Sequence, residues 1–177
     1  MKIEYTCPKC GTTGNSEVYR MGRGKDDRLY TCITCWRVWA KEYRRRIKKM
    51  EGRIKEVFNL EWIRNFAERN IHDSEWIEEG CGEKRRILVI ETLVHGGHGA
   101  YIPGLILDMF GQAEGYDLED PYNYEKNETI HDALMFLENE INDALNDLLP
   151  SEGYYYVGYH EYDGSYCLFY EEYEEEE

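Results

Sequence analysis

Two Cys-x-x-Cys pairs, Cys7-Pro-Lys-Cys10 and Cys32-Ile-Thr-Cys35, lie twenty-one residues apart and constrain this chain more than any other feature. A turn of this kind points both sulfurs to one side, and two such turns complete a tetrahedral set of thiolates. That set suits zinc at about 2.3 Å, and a site with four protein ligands is closed and structural. About forty residues are too few to bury a self-sufficient core. One zinc held by Cys7, Cys10, Cys32 and Cys35 is therefore expected to organise the first forty. A disulfide framework is the alternative, but Cys81 and Cys167 are isolated and no apolar leader precedes the first pair. No apolar run reaches the roughly 18 residues of a membrane span. The expected setting is reducing, intracellular and cytoplasmic, with no membrane.

The formal net charge of −15 conceals a division. Residues 1–56 hold fifteen Lys/Arg against seven Asp/Glu, a formal +8, whereas residues 57–177 hold six against twenty-nine, a formal −23. Each half therefore speaks about a different partner. Lys41 to Phe58 repeats apolar residues at three- and four-residue intervals (Tyr43, Ile47, Met50, Ile54, Val57), which predicts an amphipathic helix. Its other face carries Arg44, Arg45, Arg46, Lys48, Lys49 and Arg53, candidates for contact with nucleic-acid phosphates. The same face also fits an ordinary solvated surface that meets the acidic part of the chain.

Within the first forty residues, Ser16–Met21 and Arg28–Cys32 read as short strands around the glycine-rich tip Gly22–Asp27, with a third strand over Trp36–Trp39. The string C-P-K-C-G … V-Y-R-M-G-R-G-K-D-D … C-I-T-C-W-R-V-W resembles the C-terminal zinc ribbon of TFIIS-type transcript-cleavage elongation factors and related RNA polymerase subunits. In that family a hairpin tip carries an arginine and two acids, matched here by Arg23, Asp26 and Asp27. The resemblance implies that these carboxylates reach a polymerase active site and help hold a second metal ion for RNA hydrolysis. A solvated turn accounts for the same two aspartates.

The rest reads as an acidic α+β domain over residues 59–171, with an acidic tail at 172–177. Leu60 to Asn70 predicts a helix, with Trp62 and Phe66 on its core side. Ile87–Val94 predicts a largely buried strand, followed by the loop His95-Gly-Gly-His98-Gly99 and a short helix opened by Pro103. The loop lacks a phosphate-loop Lys-Ser/Thr, and its histidines with Cys81 have no diagnostic ligand spacing. Residues 130–149 predict a long helix and 154–170 a tyrosine-rich hairpin turning at Asp163-Gly164. The fold class is thus a small β zinc ribbon, a basic helical connector over 41–58, and an α+β domain with its long helix packed on an antiparallel sheet.

The functional expectation is a zinc-binding regulator that meets nucleic acid or RNA polymerase through residues 1–58 and a basic protein partner through its acidic domain. The alternative is a DNA-mimic or inhibitor acting through the carboxylates of the acidic domain. An enzyme built on the His95–Gly99 loop has the least behind it, because no nucleophile and base can be paired there.

Overall fold

A computed structural model describes residues 5–7, 9–14, 19–21, 30–78 and 84–174. The chain divides into two compact units, Met1–Arg46 and Ile47–Glu177, with the division inside one helix. The expected tip residues Arg23, Asp26 and Asp27, and Cys81, lie outside the described residues.

In the first unit, β1 (Tyr5–Thr6) pairs antiparallel with β2 (Thr13–Gly14), and β3 (Tyr19–Met21) with β4 (Tyr30–Cys32). Helix α1 follows at once and runs Ile33–Val57. It overturns the third strand expected at Trp36–Trp39 and begins well ahead of Lys41. Trp36, Val38 and Trp39 favour strands, but no Gly or Pro stands between Cys32 and Gly52. The Cys35 N–H donates to the Cys32 sulfur at 3.5 Å, the bond an N-cap makes to the third helical residue. A sulfur cap at Cys32 and uninterrupted helix formers from Ala40 outweigh the local strand preference.

In the second unit, the remainder of α1 buries Ile47, Met50 and Ile54, the predicted stripe. Helix α2 (Leu60–Asn70) is capped by Asn59, whose side chain accepts from the Trp62 N–H. Its buried positions are Ile63 and Ala67, continued by Ile71. Trp62, expected in the core, instead stacks on Phe66 at 5.0 Å and stays 44 % exposed, because the i, i+4, i+8 row of smaller residues already fills the interface.

A four-stranded antiparallel sheet has the order β5 (Ile77–Glu78), β6 (Lys84–Val94), β8 (Tyr166–Tyr173), β7 (Tyr154–Tyr159). Helices α3 (Ile102–Met109), α4 (Tyr124–Asn127) and α5 (Ile130–Leu148) precede the hairpin. One sheet face carries Tyr155, Val157, Tyr166, Leu168 and Tyr170 into the core, where α5 supplies Leu134, Leu137, Ile141 and Leu145. The other face stacks Tyr156 on Phe169 at 5.0 Å and leaves Tyr154 and Val89 partly open. Strand β6 is accordingly less buried than expected: its register shifts at Val89/Glu91 and Thr92/Val94, and Glu91 and Thr92 face outward.

The segment expected as a tail from residue 172 begins inside β8. Glu172 accepts from Arg86 at 2.6 Å, Glu171 lies 3.4 Å from Arg85, and Glu174 is 2.9 Å from Lys84. A basic run at the start of β6 thus pairs the acidic run at the end of β8 and extends the ladder.

Tyr166 is fully buried and donates to Glu138 at 2.8 Å. Burial raises the Glu138 carboxyl above its ordinary range, with the Tyr166 hydroxyl opposing. The folded protein therefore binds this proton more tightly than the unfolded chain. That contribution is complete below the unfolded carboxyl range and is lost as pH rises through the raised value. Glu138→Gln keeps an acceptor for Tyr166 and removes the charge. It is expected to stabilise the protein at pH 7, with the gain shrinking towards pH of about 4. Chemical denaturation of both forms at the two pH values checks this; a difference independent of pH overturns it.

Candidate metal centre

The first Cys pair sits in the connection between β1 and β2. The Gly11 N–H closes onto the Cys7 carbonyl at 2.8 Å, and the Cys7 N–H onto the Thr12 carbonyl at 2.8 Å. Gly11 takes φ 71, a left-handed conformation that glycine adopts without strain, and this folds the chain back under both sulfurs. The second pair comes from a different element: Cys32 ends β4 and Cys35 lies in the first turn of α1. The thiol atoms of Cys7, Cys10, Cys32 and Cys35 all lie within 4.8 Å of one another.

Four sulfurs about 2.3 Å from a tetrahedral ion stand roughly 3.8 Å apart, and Cys10 and Cys32 are separated by 3.5 Å. The donor set and its size therefore fit a metal ion. Backbone donors favour thiolates here. The Cys32 N–H points at the Cys7 sulfur at 3.5 Å, and this bond is the chief cause that pulls the Cys7 thiol down to about 6, against its burial. Thr12, 3.2 Å from the Cys10 sulfur, lowers that thiol too. The N-terminal end of α1 adds its partial positive charge beside Cys32 and Cys35. Cys35 moves the other way, up to about 12, because the Cys32 and Cys10 sulfurs crowd it. Four thiols this close cannot all ionise unaided, and a dication resolves the conflict by deprotonating every ligand.

Cys167 stands apart from this cluster, buried in β8 with its thiol 3.7 Å from the Thr92 hydroxyl. His95 and His98 are exposed, and among the described residues neither joins a metal-ligating group. The glycine-rich loop has a packing explanation. A Cβ on Gly96 would run into the Asp163 carbonyl, and the Gly96 N–H donates to the Ser165 hydroxyl at 2.9 Å. The loop is pressed against the β7–β8 turn, where Asp163 accepts from Ser165 and pairs with His160. His160 contacts the carboxylate rather than the serine, so this group locks a turn and places no base on a nucleophile.

Of the basic candidates, Arg44, Arg45, Arg46, Lys48 and Lys49 are exposed on α1. Arg44 Nε reaches back to the Ala40 carbonyl at 3.2 Å, and the Arg46 guanidinium lies 5.6 Å from the centre of the Tyr43 ring. Arg53, the last of these candidates, has intrachain partners: it donates to the Met109 carbonyl at the end of α3, at 2.9 and 2.6 Å, and to Glu56 at 2.7 Å. A cation at a helix C-terminus is a structural tie. Reasoning from sequence missed the Trp39–Tyr43 stack, with ring centres 5.2 Å apart and planes 12° apart. Its i, i+4 spacing was hidden by the strand assigned to Trp36–Trp39.

No family model, curated protein or solved structure matches the chain. No helix among the described residues is long and apolar enough to cross a membrane.

Proposed function

We propose that the Met1–Arg46 unit is a zinc-organised module that binds the phosphate backbone of nucleic acid. The observation that carries this reading is the placement of the four-cysteine cluster at the first turn of a helix whose exposed side begins Arg37, Lys41, Arg44 and Arg45. Residues 1–46 hold eleven Lys/Arg and five Asp/Glu, a formal +6, or about +4 once zinc and four thiolates are included. Phosphate contacts from such a surface supply affinity without sequence preference. Zinc is the assigned ion because four thiolates in a closed set suit it. Iron also takes such a set, and elemental analysis distinguishes the two.

The resemblance to the transcript-cleavage ribbons keeps a polymerase-bound nucleoprotein as the natural setting. The helix at Trp36–Trp39, where those ribbons carry a strand, weighs against transferring the role of their acidic tip to Asp26 and Asp27. The DNA-mimic reading loses ground for a separate reason. Glu171, Glu172 and Glu174 are matched by Arg85, Arg86 and Lys84, so these carboxylates are not presented as a phosphate-like row. The remaining acidic surface suits a basic protein partner.

The test is binding of the metal-loaded full chain to a fluorescent duplex of arbitrary sequence between 50 and 200 mM salt, on the order of conditions where phosphate contacts are decisive. Affinity is expected to fall steeply with salt, and Arg44→Gln with Arg45→Gln to reduce the log–log slope by about 1 per lost contact. Absence of salt-sensitive binding to duplex or single strand overturns the reading.

A further inference from the structure

A strand at the edge of a sheet presents unpaired backbone N–H and C=O groups, and a fold normally covers or blunts them. At the β7 edge, the Tyr155 and Val157 N–H groups donate to Asn146 and Asn142 on α5. The opposite edge is covered along only part of its length. Strand β6 runs Lys84–Val94, whereas β5 is two residues long and pairs with Lys84 and Arg85 alone. Beyond Arg85, no strand among the described residues lies against that side of β6. The ladder fixes which groups face outward there. The Lys84 carbonyl accepts from the Glu174 N–H at 2.9 Å, so Lys84, Arg86 and Leu88 turn their backbone groups to β8. Arg85, Ile87 and Val89 turn theirs away. The β7 side agrees: Tyr155 sends its N–H outward to Asn146, which leaves its neighbour Tyr170 to bond with Leu88. Ile87 and Val89 thus aim two N–H and two C=O groups at the open edge, in line with β5. The side chain of Val89 is 38 % exposed, and that of Ile77, at the end of the covered stretch, is 51 % exposed.

We infer that the β6 edge at Ile87–Val89 is a strand-addition site that takes an extended, basic segment of a partner protein. The inference rests on the reading of the acidic domain as a surface for a basic partner, and it gives that partner a place and a backbone conformation. In this mode main-chain hydrogen bonds supply affinity, and side chains at alternate positions supply selectivity. The register shift after Val89 ends the regular stretch and limits the site to a short strand. Charge selects the occupant. Glu91, next along β6, is exposed, as are Asp73 and Glu75 in the segment that leads into β5. None of the three has an ion pair among the described residues, whereas the neighbouring Lys84, Arg85 and Arg86 are already taken by Glu174, Glu171 and Glu172. An incoming strand therefore meets carboxylates that lack a counter-charge, and lysine or arginine side chains supply it. A second copy of this chain would bring the same carboxylates and another formal −23.

The experiment titrates the metal-loaded full chain with a capped peptide alternating valine and lysine while amide exchange is followed residue by residue. In the chain alone, the Ile87 and Val89 amides are expected to exchange at least about tenfold faster than those of Arg86 and Leu88. The peptide should slow both by about tenfold, and a copy with glutamate in place of lysine should bind at least about tenfold more weakly. A copy with methylated backbone nitrogens keeps the charges and loses the donors, so it should leave the exchange of Ile87 and Val89 unchanged. Val89→Pro removes one outward N–H at a position where an edge strand tolerates proline. It should weaken the lysine peptide by about tenfold, the scale of one or two lost backbone hydrogen bonds. The methylated peptide tests pairing on the native chain, so the result stands even where Val89→Pro folds poorly. Protection of Ile87 and Val89 in the chain alone overturns the site, and a dimer in sedimentation would then make a second copy the occupant. A lysine peptide that binds without slowing these two amides overturns the strand site and leaves the basic-partner reading standing. Equal binding of the lysine and glutamate peptides, or binding of neither, overturns that reading as well.

Discussion

If the four-cysteine centre holds the zinc proposed above, removing that ion is expected to unfold residues 1–46 while residues 47–177 stay folded. Among the described residues up to Arg46, the fully buried ones are Cys7 and Cys32. Both belong to the four-cysteine cluster, the other two members of which are less buried. Its strands are two or three residues long, and pairs that short do not hold in water without a packed face. Structural zinc supplies on the order of 10 kcal/mol to such modules, more than the whole stability of many domains. Cys32→Ser should act as chelation does. It removes a ligand and also the sulfur that accepts from the Cys35 N–H, so the first turn of α1 should fray with it. Amide exchange resolved along the chain gives the readout: protection should vanish over residues 5–14 and persist in α5 and β8. Protection retained over 5–14 after complete loss of metal would show that something other than the ion holds this unit.

How far the sequence alone leads depends on the range of the interaction. The cysteine spacing announces the cluster because two residues between paired cysteines let both sulfurs face one site, whether the pair sits on a turn (Cys7, Cys10) or at a strand end and helix start (Cys32, Cys35). The long helix and the tyrosine hairpin are legible from periodicity, as Leu134, Leu137, Ile141 and Leu145 in the core show. The errors arise where a distant partner decides. Helix α1 starts early because a sulfur, an unusual cap, accepts the Cys35 N–H in its first turn. Glu172 looks like disordered tail until Arg86, 86 residues away in sequence, is seen to hold it. Arg53 reads as one more solvated cation until the Met109 carbonyl is placed beside it. The glycines after His95 carry no ligand signature in the sequence, and what it does not show is the reason for Gly96: the Asp163 backbone leaves no room for a side chain. None of these partners is signalled by local composition.

The sheet ends at β7, and an edge strand with free N–H and C=O groups invites pairing with another chain. Two asparagines one turn apart on α5 occupy that edge. Asn146 accepts from the Tyr155 N–H at 2.9 Å and donates to the Tyr155 carbonyl at 2.7 Å, and Asn142 accepts from the Val157 N–H at 2.9 Å. Tyr155 and Val157 are themselves buried, so water is poorly placed to replace the lost partners. Each group left unsatisfied costs about 1–3 kcal/mol. Replacing both asparagines by alanine is therefore expected to destabilise the second unit by about 3–5 kcal/mol, against a gain of about 1 kcal/mol in helix propensity for the two alanines. A unit of this size should then melt about 10 °C lower. The exposed edge should also make the variant associate as concentration rises, which light scattering reads independently of the melt. Asn146→Ala alone should account for more than half of the destabilisation, because that side chain satisfies two of the three groups. A double variant within about 1 kcal/mol of the native protein would mean that the edge is not held by α5.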